Sequence, residues 1–372
     1  MRIGIDTGGT FTDFIVLHVD GRLVSFKLRS NPADPASVIL AGLARIAASK
    51  KSEVIHGTTV ATNALLERKG ARTAFFTTAG FEDILEIGRQ NRPELYNLTP
   101  IPRRPLIPRD RCFGVGEREY HDGTVALRPT AIELKRLVAG LKRAKVRSIA
   151  ICFLHSYRNP ANERAVLGAL KTTGVYVCAS HAVSPEFREY ERGSTTAVNA
   201  YVGPLMESYL AELERARKFR IAIMQSNGGF LSARDARRDA VRTVLSGPAG
   251  GVIGALNTAR RSGFRNIIGF DMGGTSTDVA LYAGAFERAF ETEVAGVRMR
   301  APMMAINTVA AGGGSILHFD GARFRVGPDS AGADPGPACY HRGGPLTVTD
   351  ANVCVGKIQP AHFPAIFGNA GD

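Results

Sequence analysis

The sequence predicts an α/β fold, and three observations carry that prediction. Strand-like runs of apolar and β-branched residues alternate with stretches of helical periodicity along most of the 372 residues. One run, VRSIAICFL (146–154), is continuously apolar, as strands buried in parallel sheets are. Finally, IGIDTGGTFTDF (Ile3–Phe14) returns as IGFDMGGTSTDV (Ile268–Val279), identical at eight of twelve positions. Each copy reads as strand, glycine turn, strand.

The elements follow in order. Arg2–Thr7, Thr12–Val19 and Arg22–Arg29 are three strands, with Asp20-Gly21 as a tight hairpin turn between the second and third. Asp34 caps and Pro35 opens a helix to about Ser49. VIHGTT is a short strand ending in a polar loop, and Val60–Gly70 is a helix with its glycine just past the end. ARTAFFTTAG is the next strand. Pro93, Pro100, Pro102, Pro105, Pro108 and Pro129 punctuate residues 89–129, an insertion or surface segment with short strands that include Arg111–Tyr120. Thr130 and Glu133 form a capping box for a helix to about Arg143. Asn159-Pro160 starts a helix to about Thr172, and VYVCAS is a strand. Glu186–Phe219 is mostly helical, with a break expected near Gly203-Pro204. IAIMQS is a strand closing on Asn227-Gly228-Gly229. TVLSGPAGGVIGALNTARRSG is expected as strand, glycine turn and helix, and NIIGFDMGGTSTDVALY as strand, turn and strand. The expected division is 1–262 and 263–372, one glycine turn in each. The ending, FPAIFGNAGD, reads as a connection cut short, so the second unit is expected to be incomplete.

Composition narrows the function classes. Hydrophobic content of 44% and charged content of 22% are those of an ordinary globular protein. No apolar run reaches the roughly 18 residues of a membrane span, and no signal-peptide pattern opens the chain. A cytoplasmic protein with no membrane partner is the expectation. Cys112, Cys152, Cys178, Cys339 and Cys354 are scattered without a CxxC, which argues against a disulfide framework or structural zinc. Cys152 and Cys178 lie in apolar strands, as core residues. The net charge is +13, but the basic residues are dispersed, with no run of five. Nucleic acid is therefore not expected as a partner; an acidic partner or further acidic chain would balance the charge.

The spacing D-x-G-G-T-x-T-D suggests its own chemistry. Asp6 ends an apolar strand. Gly8-Gly9 lets bare backbone N–H groups converge, and such concave arrangements bind anions. Thr10 and Thr12 add hydroxyl donors on one face of the next strand. Asp6 cannot cradle phosphate, but it can hold Mg²⁺ directly or through water. The same reading applies to Asp271, Gly273, Gly274, Thr275 and Thr277. Two such hairpins facing each other would clamp a polyphosphate with the cation between them, which is most of what phosphoryl transfer asks of a protein. A single Asp-Gly hairpin merely turns a chain; the matched second copy argues for a clamp. There is no GxxxxGK[ST], and a strand rather than a helix follows the glycines, so neither a P-loop nor a Rossmann turn is present.

Other candidates keep two readings each. His56 at a strand end either orients substrate or the transferring phosphoryl, or is a hydrogen-bonded structural histidine. Thr58, Thr59 and Asn63 share that choice, and Thr58-Thr59 could simply cap the next helix. Arg89, with Asn91 and Arg92, would anchor an anionic or imide substrate or lie on a solvated loop. Asn227 would approach a ligand or serve a plain turn. Gly312-Gly313-Gly314 reads as a phosphate- or substrate-contacting loop. Ser246-Gly247-Pro248 with Gly250-Gly251 packs a helix N-terminus against the cleft, or is close packing alone. Asp329–Tyr340 is a rigid Gly/Pro-rich loop, and its Cys339 is a weak metal candidate.

IDTGGTFTDFIV, HGTTVATNALLERKGA, GFEDILEIGRQNRPELYNL, SPEFREYERGSTTAVNAYVGP, MQSNGGFLSA, VLSGPAGGV, FDMGGTSTDVAL, AAGGGSI, GPDSAGADPGPACY and LTVTDANV together resemble the hydantoinase A/5-oxoprolinase family, within the superfamily of actin, sugar kinases and heat-shock chaperone ATPases. The resemblance covers 1–372. It implies an actin-like (ribonuclease H-like) two-lobed ATPase, here with the second lobe incomplete. It implies ATP and Mg²⁺ as cofactors, metal at Asp6 and Asp271, and catalytic roles for Asp6, Asp271 and His56. It also implies phosphorylation of a cyclic amide, of 5-oxoproline or hydantoin type, with ring opening completed by a hydantoinase B-like subunit or domain; this allows a hetero-oligomer. Phosphorylating the poorly electrophilic amide on oxygen yields an activated imidate for water. Such chemistry needs no Ser-His-Asp elbow or HExxH motif, and the chain has neither. Family A parts continue past this length with the glycine-rich turn that seats adenosine. QPAHFPAIFGNAGD resembles the oxoprolinase branch and GRQNRPELYNL the hydantoinase branch, which leaves the substrate open. The alternatives are an acetone/acetophenone carboxylase-type component, an inactive truncated remnant, and a chaperone-like ATPase.

Overall fold

Alternation in the first strand decides how the first sheet is covered. In β1 (Arg2–Thr7), Ile3, Ile5 and Thr7 are buried while Arg2, Gly4 and Asp6 face outward. The computed structural model describes residues 1–8, 11–31, 34–91, 94–99, 104–215, 219–332 and 334–362. β1 pairs antiparallel with β2 (Phe11–Leu17), and β2 with β3 (Leu23–Arg29). α1 (Pro35–Arg45) then crosses back over the buried face, capped by Asp34, whose carboxylate accepts from the Ser37 N–H. Its Gly42 admits the Phe14 ring, which a Cβ there would overlap. β4 (Glu53–Thr58) joins β1 in parallel on the other side.

α2 (Val60–Leu66) leads to β5 (Thr73–Thr78) and a single turn, α3 (Ile84–Ile87). The proline-rich segment supplies β6 (Cys112–Val115), an edge strand parallel to β5, and a small hairpin, β7 (Arg118–Glu119) with β8 (Val125–Leu127). α4 (Ala131–Ala144), β9 (Ser148–Cys152), α5 (Ala161–Leu170) and β10 (Tyr176–Ala179) complete a second, all-parallel sheet of order β10-β9-β5-β6. β9 is buried at every position, as its unbroken apolar run requires.

After the short α6 (Ser180–Val183) comes α7 (Glu189–Arg215), 27 residues long and buried without a gap from Tyr190 to Gly203. The break expected near Gly203-Pro204 does not occur. Pro204 removes one backbone hydrogen bond, an interior cost of about 3 kcal/mol. Close packing offsets that loss, because Gly203 lets the Tyr176 ring lie where a Cβ would otherwise project. β11 (Arg220–Met224) returns the chain to the first sheet beside β4, followed by β12 (Phe230–Ser232); the sheet order is β12-β11-β4-β1-β2-β3. α8 (Ala233–Arg238) and α9 (Ser246–Arg261) follow. The expected strand before α9 does not form. Ala240–Thr243 is a 3₁₀ turn, Leu245 has φ 61°, and the Leu245 N–H donates to Thr62 Oγ1 at 2.9 Å instead of to a ladder.

β13 (Asn266–Met272) and β14 (Thr277–Ala283) repeat the opening hairpin, and the strand Asn307–Val309 pairs with β14. Small hairpins and the helix Val348–Cys354 follow. No described helix is long and apolar enough to cross a membrane.

A cluster of buried acids sits at the carboxyl edge of the second sheet. Asn162 bridges two of them, its Nδ2 donating to Glu117 at 2.8 Å and its backbone N–H to Glu119 at 3.4 Å. Burial, and then the charges of Glu117 and Glu163, push the Glu119 carboxyl up to about 7. The native carboxyl thus keeps a proton that the unfolded chain releases near 4.5, so this group's contribution to stability falls as pH rises from about 4.5 to about 7. Thermal melts of the wild type and Glu119→Gln should diverge across that window, the wild type losing more as pH rises. Parallel profiles would remove Glu119 as the titrating group.

Candidate nucleotide site

The strands flanking the two glycine turns pair in matching register. In the first, Asp6 is cross-strand to Asp13 and Thr7 to Thr12; in the second, Asp271 is cross-strand to Asp278 and Met272 to Thr277. Gly8 N–H donates to Phe11 O at 2.9 Å, and Gly273 N–H to Ser276 O at 2.9 Å. Gly9 and Thr10 lie outside the described residues, as does Arg92. Gly274 and Thr275 are exposed.

One helix brings the two aspartates together. The β1–β4 register sets Asp6 beside Gly57, and a Cβ on Gly57 would lie 3.3 Å from Asp6 Oδ1. A Cβ on Gly247 would lie 3.6 Å from the same oxygen, and one on Gly251 would lie 3.5 Å from Asp271 Oδ2. Gly247 and Gly251 are four residues apart in α9, so they stack on one face of its first turns. Bare glycines at those two positions let one hairpin's carboxylate approach each. The helix N-terminus carries the positive end of its dipole, which favours anions nearby. Asp6 is open to solvent yet closely surrounded. That partial burial, followed by the charges of Asp13 and Asp271, holds its carboxyl above the ordinary value. Among the described residues no group of three metal-ligating side chains occurs. A pair of carboxylates suits Mg²⁺, which keeps several waters and takes phosphate oxygens.

The residues around the turns hold them in shape. Thr12 Oγ1 bonds Ser30 Oγ at 3.0 Å, and Ser30 donates on to Gly8 O at 2.8 Å. Thr277 Oγ1 donates to Ala311 O at 2.6 Å. Gly312 N–H donates to Ser315 Oγ at 3.0 Å, Gly313 N–H to Gly273 O at 2.9 Å and Gly314 N–H to Gly274 O at 2.7 Å. All three amides of the triple glycine are therefore engaged within the protein, supporting the second turn from behind. A Cβ on Gly312 would sit 2.7 Å from Gly273 O, which explains glycine there without an anion. Thr59 Oγ1 donates to Thr7 O at 2.8 Å and accepts from Asn63 Nδ2 at 3.3 Å. Thr58 Oγ1, rather than Thr59, accepts an α2 amide, from Val60 at 3.2 Å, and Ser246 Oγ donates to Thr58 O at 3.1 Å. Thr58, Thr59 and Asn63 thus tie the ends of β1 and β4 to α2 and α9.

Residues 2–174 match the family described as Hydantoinase/oxoprolinase N-terminal region, and residues 192–372 match Hydantoinase/oxoprolinase. The chain belongs to the hydantoinase/oxoprolinase family. It is 40% identical to 5-oxoprolinase 1 of Arabidopsis thaliana over 99% of this chain and 32% of that protein. It is 38% identical to caprolactamase subunit alpha of Pseudomonas jessenii over 96% of this chain and 54% of that one. The chain therefore spans about a third of the first relative's length and about half of the second's. Among solved structures it is similar to the ATP-dependent caprolactamase of Pseudomonas jessenii (TM-score 0.82, 35% identity, all of this chain and 56% of that one). It is also similar to nucleotide-free acetone carboxylase, studied for ATP-dependent acetone carboxylation (TM-score 0.81, 30% identity, 98% and 56%). The fold is that of the actin-like ATPase superfamily.

In this hydantoinase/oxoprolinase chain, the remaining candidates are not gathered at the turns. His56 is cross-strand to Ile5, on the face opposite Asp6, and fully buried. Its Nδ1–H donates to Ile5 O at 3.3 Å, so Nε2 accepts from the Tyr209 hydroxyl. Arg89 makes a two-pronged pair with buried Glu191, at 2.6 Å on each prong. Glu191 and Tyr209 are 18 residues apart on α7, about 27 Å along its axis, so Arg89 lies at the other end of that helix from the turns. Asn227 Oδ1 accepts from Gly229 N–H at 2.8 Å, closing a plain Asx turn. Burial pushes the Cys339 thiol up to about 12, which opposes the thiolate a metal would need. Tyr209 and Ser30 escaped sequence reading, because neither lies in a glycine-rich or acidic pattern.

Burial lowers the His56 pKa from 6.5 to about 4, so the ring is neutral at pH 7. The unfolded chain takes up a proton that the native ring resists. Its contribution is therefore fully present above about 6.5 and lost as pH falls toward about 4. His56→Gln should flatten the acid limb of a pH–stability profile across this window. An unchanged limb would mean that another group sets it.

Proposed function

We propose that this chain is the ATP-using part of an enzyme that phosphorylates a cyclic amide of the 5-oxoproline, hydantoin or caprolactam type. Ring opening is completed with a hydantoinase B-like subunit or domain. The observation that carries the reading is the pair of matched acid–glycine hairpins set against glycines one turn apart on α9. Relatives of this chain are named as 5-oxoprolinase and as ATP-dependent caprolactamase, which supports the substrate class. A subunit of the latter is called alpha, which supports a hetero-oligomer.

Asp6 and Asp271 would hold Mg²⁺, directly or through water, and the turns at Gly8 and at Gly273-Gly274 would take the phosphates. A cation held there would neutralise charge gathering on the transferred phosphoryl group. Asp6 meets the cation with a carboxyl that burial and two like charges make reluctant to ionise, so binding relieves repulsion already present in the protein. The triple glycine and Thr277 keep the second turn in shape, and Ser30 and Thr12 do so for the first. His56, facing the core, acts through Tyr209 as a strut. Arg89 balances Glu191. A second reading, activation of a ketone for carboxylation, is supported by the likeness to acetone carboxylase; substrate-dependent fixation of bicarbonate separates the two.

The test is ATP hydrolysis by the full-length protein with its partner, in the presence of 5-oxoproline, hydantoin or caprolactam. Asp6→Asn and Asp271→Asn should each lower turnover by roughly 100-fold or more, as removing one preorganised charge-stabilising group does, with melting temperature preserved. Wild-type turnover in either variant would overturn the clamp.

A further inference from the structure

The core beneath the first sheet draws on the far part of the chain through one element. Between β14 and the strand Asn307–Val309 the chain forms a two-part ribbon. β15 (Arg288–Ala289) pairs with β18 (Met303–Met304), and beyond them β16 (Thr292–Val294) pairs with β17 (Val297–Met299). Val294, Val297, Met299, Ala301 and Met303 are buried in the same core as Ile5 and Phe14 of the first hairpin and Val198 of α7. Among the described residues, these five are all that the chain beyond 263 buries in that core; β13 and β14 contribute none. Polar contacts seat the ribbon on the N-terminal half of α7. Ser194 Oγ donates to Arg298 O, and the Arg300 N–H donates to Thr195 Oγ1 at 2.8 Å. Just before α7, Arg188 pairs with Glu291 of the ribbon at 3.3 Å, and Glu186 with Arg300 at 2.8 Å. At the ribbon's base the Met304 N–H donates to Ser226 O at 2.9 Å.

The returning arm of the ribbon leads directly to the second glycine turn. Shortly after Met304 the strand Asn307–Val309 begins, and it pairs with Thr277–Val279. Thr308 Oγ1 donates to Asp278 Oδ1 at 2.6 Å, and Asp278 is cross-strand to Asp271. α7 reaches the first hairpin from its other end, where Tyr209 bonds His56 beside Ile5. One helix thus frames both hairpins, the first directly and the second through the ribbon. At α9 the two aspartates meet bare glycines and repel each other, so that contact does not by itself hold the second hairpin in place. We propose that the ribbon 288–304 is a strap, seated on Ser194 and Thr195, that holds Asp271 at a fixed distance from Asp6 through α7. Unseated, the second hairpin swings on α9 while both hairpins stay folded. The strap acts whatever the turns bind.

The test is a distance measurement by pulsed electron-spin resonance in the intact chain. Spin labels go on Ile15→Cys and Ile268→Cys, exposed positions on the two hairpins, with Cys354→Ser to remove an exposed thiol. With the seat unaltered, the labels should give one narrow distribution. Ser194→Ala with Thr195→Val deletes both seat hydroxyls with little change of volume. It should broaden the distribution by about twofold or more, since local opening follows the loss of such contacts. Thr195→Ser keeps the hydroxyl and should keep the distribution narrow. Hydrogen exchange in β1 and β2 should stay at the rate of the unaltered seat, which shows that the first hairpin is folded. A folded double variant with the narrow distribution overturns the proposal, and so does equal broadening in Thr195→Ser. If the double variant loses the protection of β1 and β2, Glu291→Gln decides, because that side chain is 35% exposed and its replacement frees Arg188. Broadening there supports the strap, and an unchanged distribution overturns it.

Discussion

The constraint on which the site depends is the meeting of two carboxylates from distant parts of the chain, Asp6 and Asp271, along one face of α9. Like charges at close quarters repel, so the arrangement needs a structural cause. The cause is steric: glycines at 247 and 251 leave nothing between helix backbone and carboxylate oxygen. Around that meeting the rest falls into supporting roles. β4 presents Gly57 beside Asp6, Ser246 ties β4 to the helix start, and the triple glycine presses carbonyl to amide against the second turn.

The second sheet and the N-terminal half of α7 stand apart from this centre, while Tyr209 near the other end of the helix reaches His56 beside it. α7 is buried over most of its length although it carries Glu191, Arg192, Thr195, Thr196 and Asn199; each finds partners within the protein, except that Arg192 Nε is left without one while its Nη2 donates to Phe153 O at 2.6 Å. Thr195 and Thr196 donate to carbonyls one turn back at 2.6 and 2.7 Å, and Arg89 reaches in to neutralise Glu191. From Tyr190 to Gly203 the helix has no amphipathic stripe, because it has no solvent side there; Glu207 and Ser208 are exposed further on.

Much of the fold was legible locally. The first strands, the capping of α1 by Asp34 and the buried β9 follow from periods of two, cap chemistry and unbroken apolarity, each readable within a few residues. The repeated turn was legible because it is literal. What escaped depends on partners far along the chain. Nothing near Pro204 announces that Tyr176 will fill the space above Gly203. The segment before α9 looks like a strand until Thr62 claims the Leu245 amide. At the site, a glycine run reads the same whether its amides face an anion or the protein's own oxygens, and Gly313 and Gly314 have carbonyls while Gly312 has the Ser315 hydroxyl. His56 and Gly57 are adjacent, yet strand alternation sends one to the core and leaves the other beside Asp6. The parity of that alternation relative to the glycine turns is a tertiary fact.

The pairing of Gly247 with Gly251 has a mechanical consequence. Four residues of α-helix rise about 6 Å, and that rise is set by backbone hydrogen bonds within α9. The axial separation of the two contact points is therefore a property of one rigid rod. If either hairpin swings about the rod, the angle between the carboxylates changes while their spacing along it stays the same. α9 would then act as an axle of fixed gauge, so that relative motion of the hairpins takes the form of rotation around it.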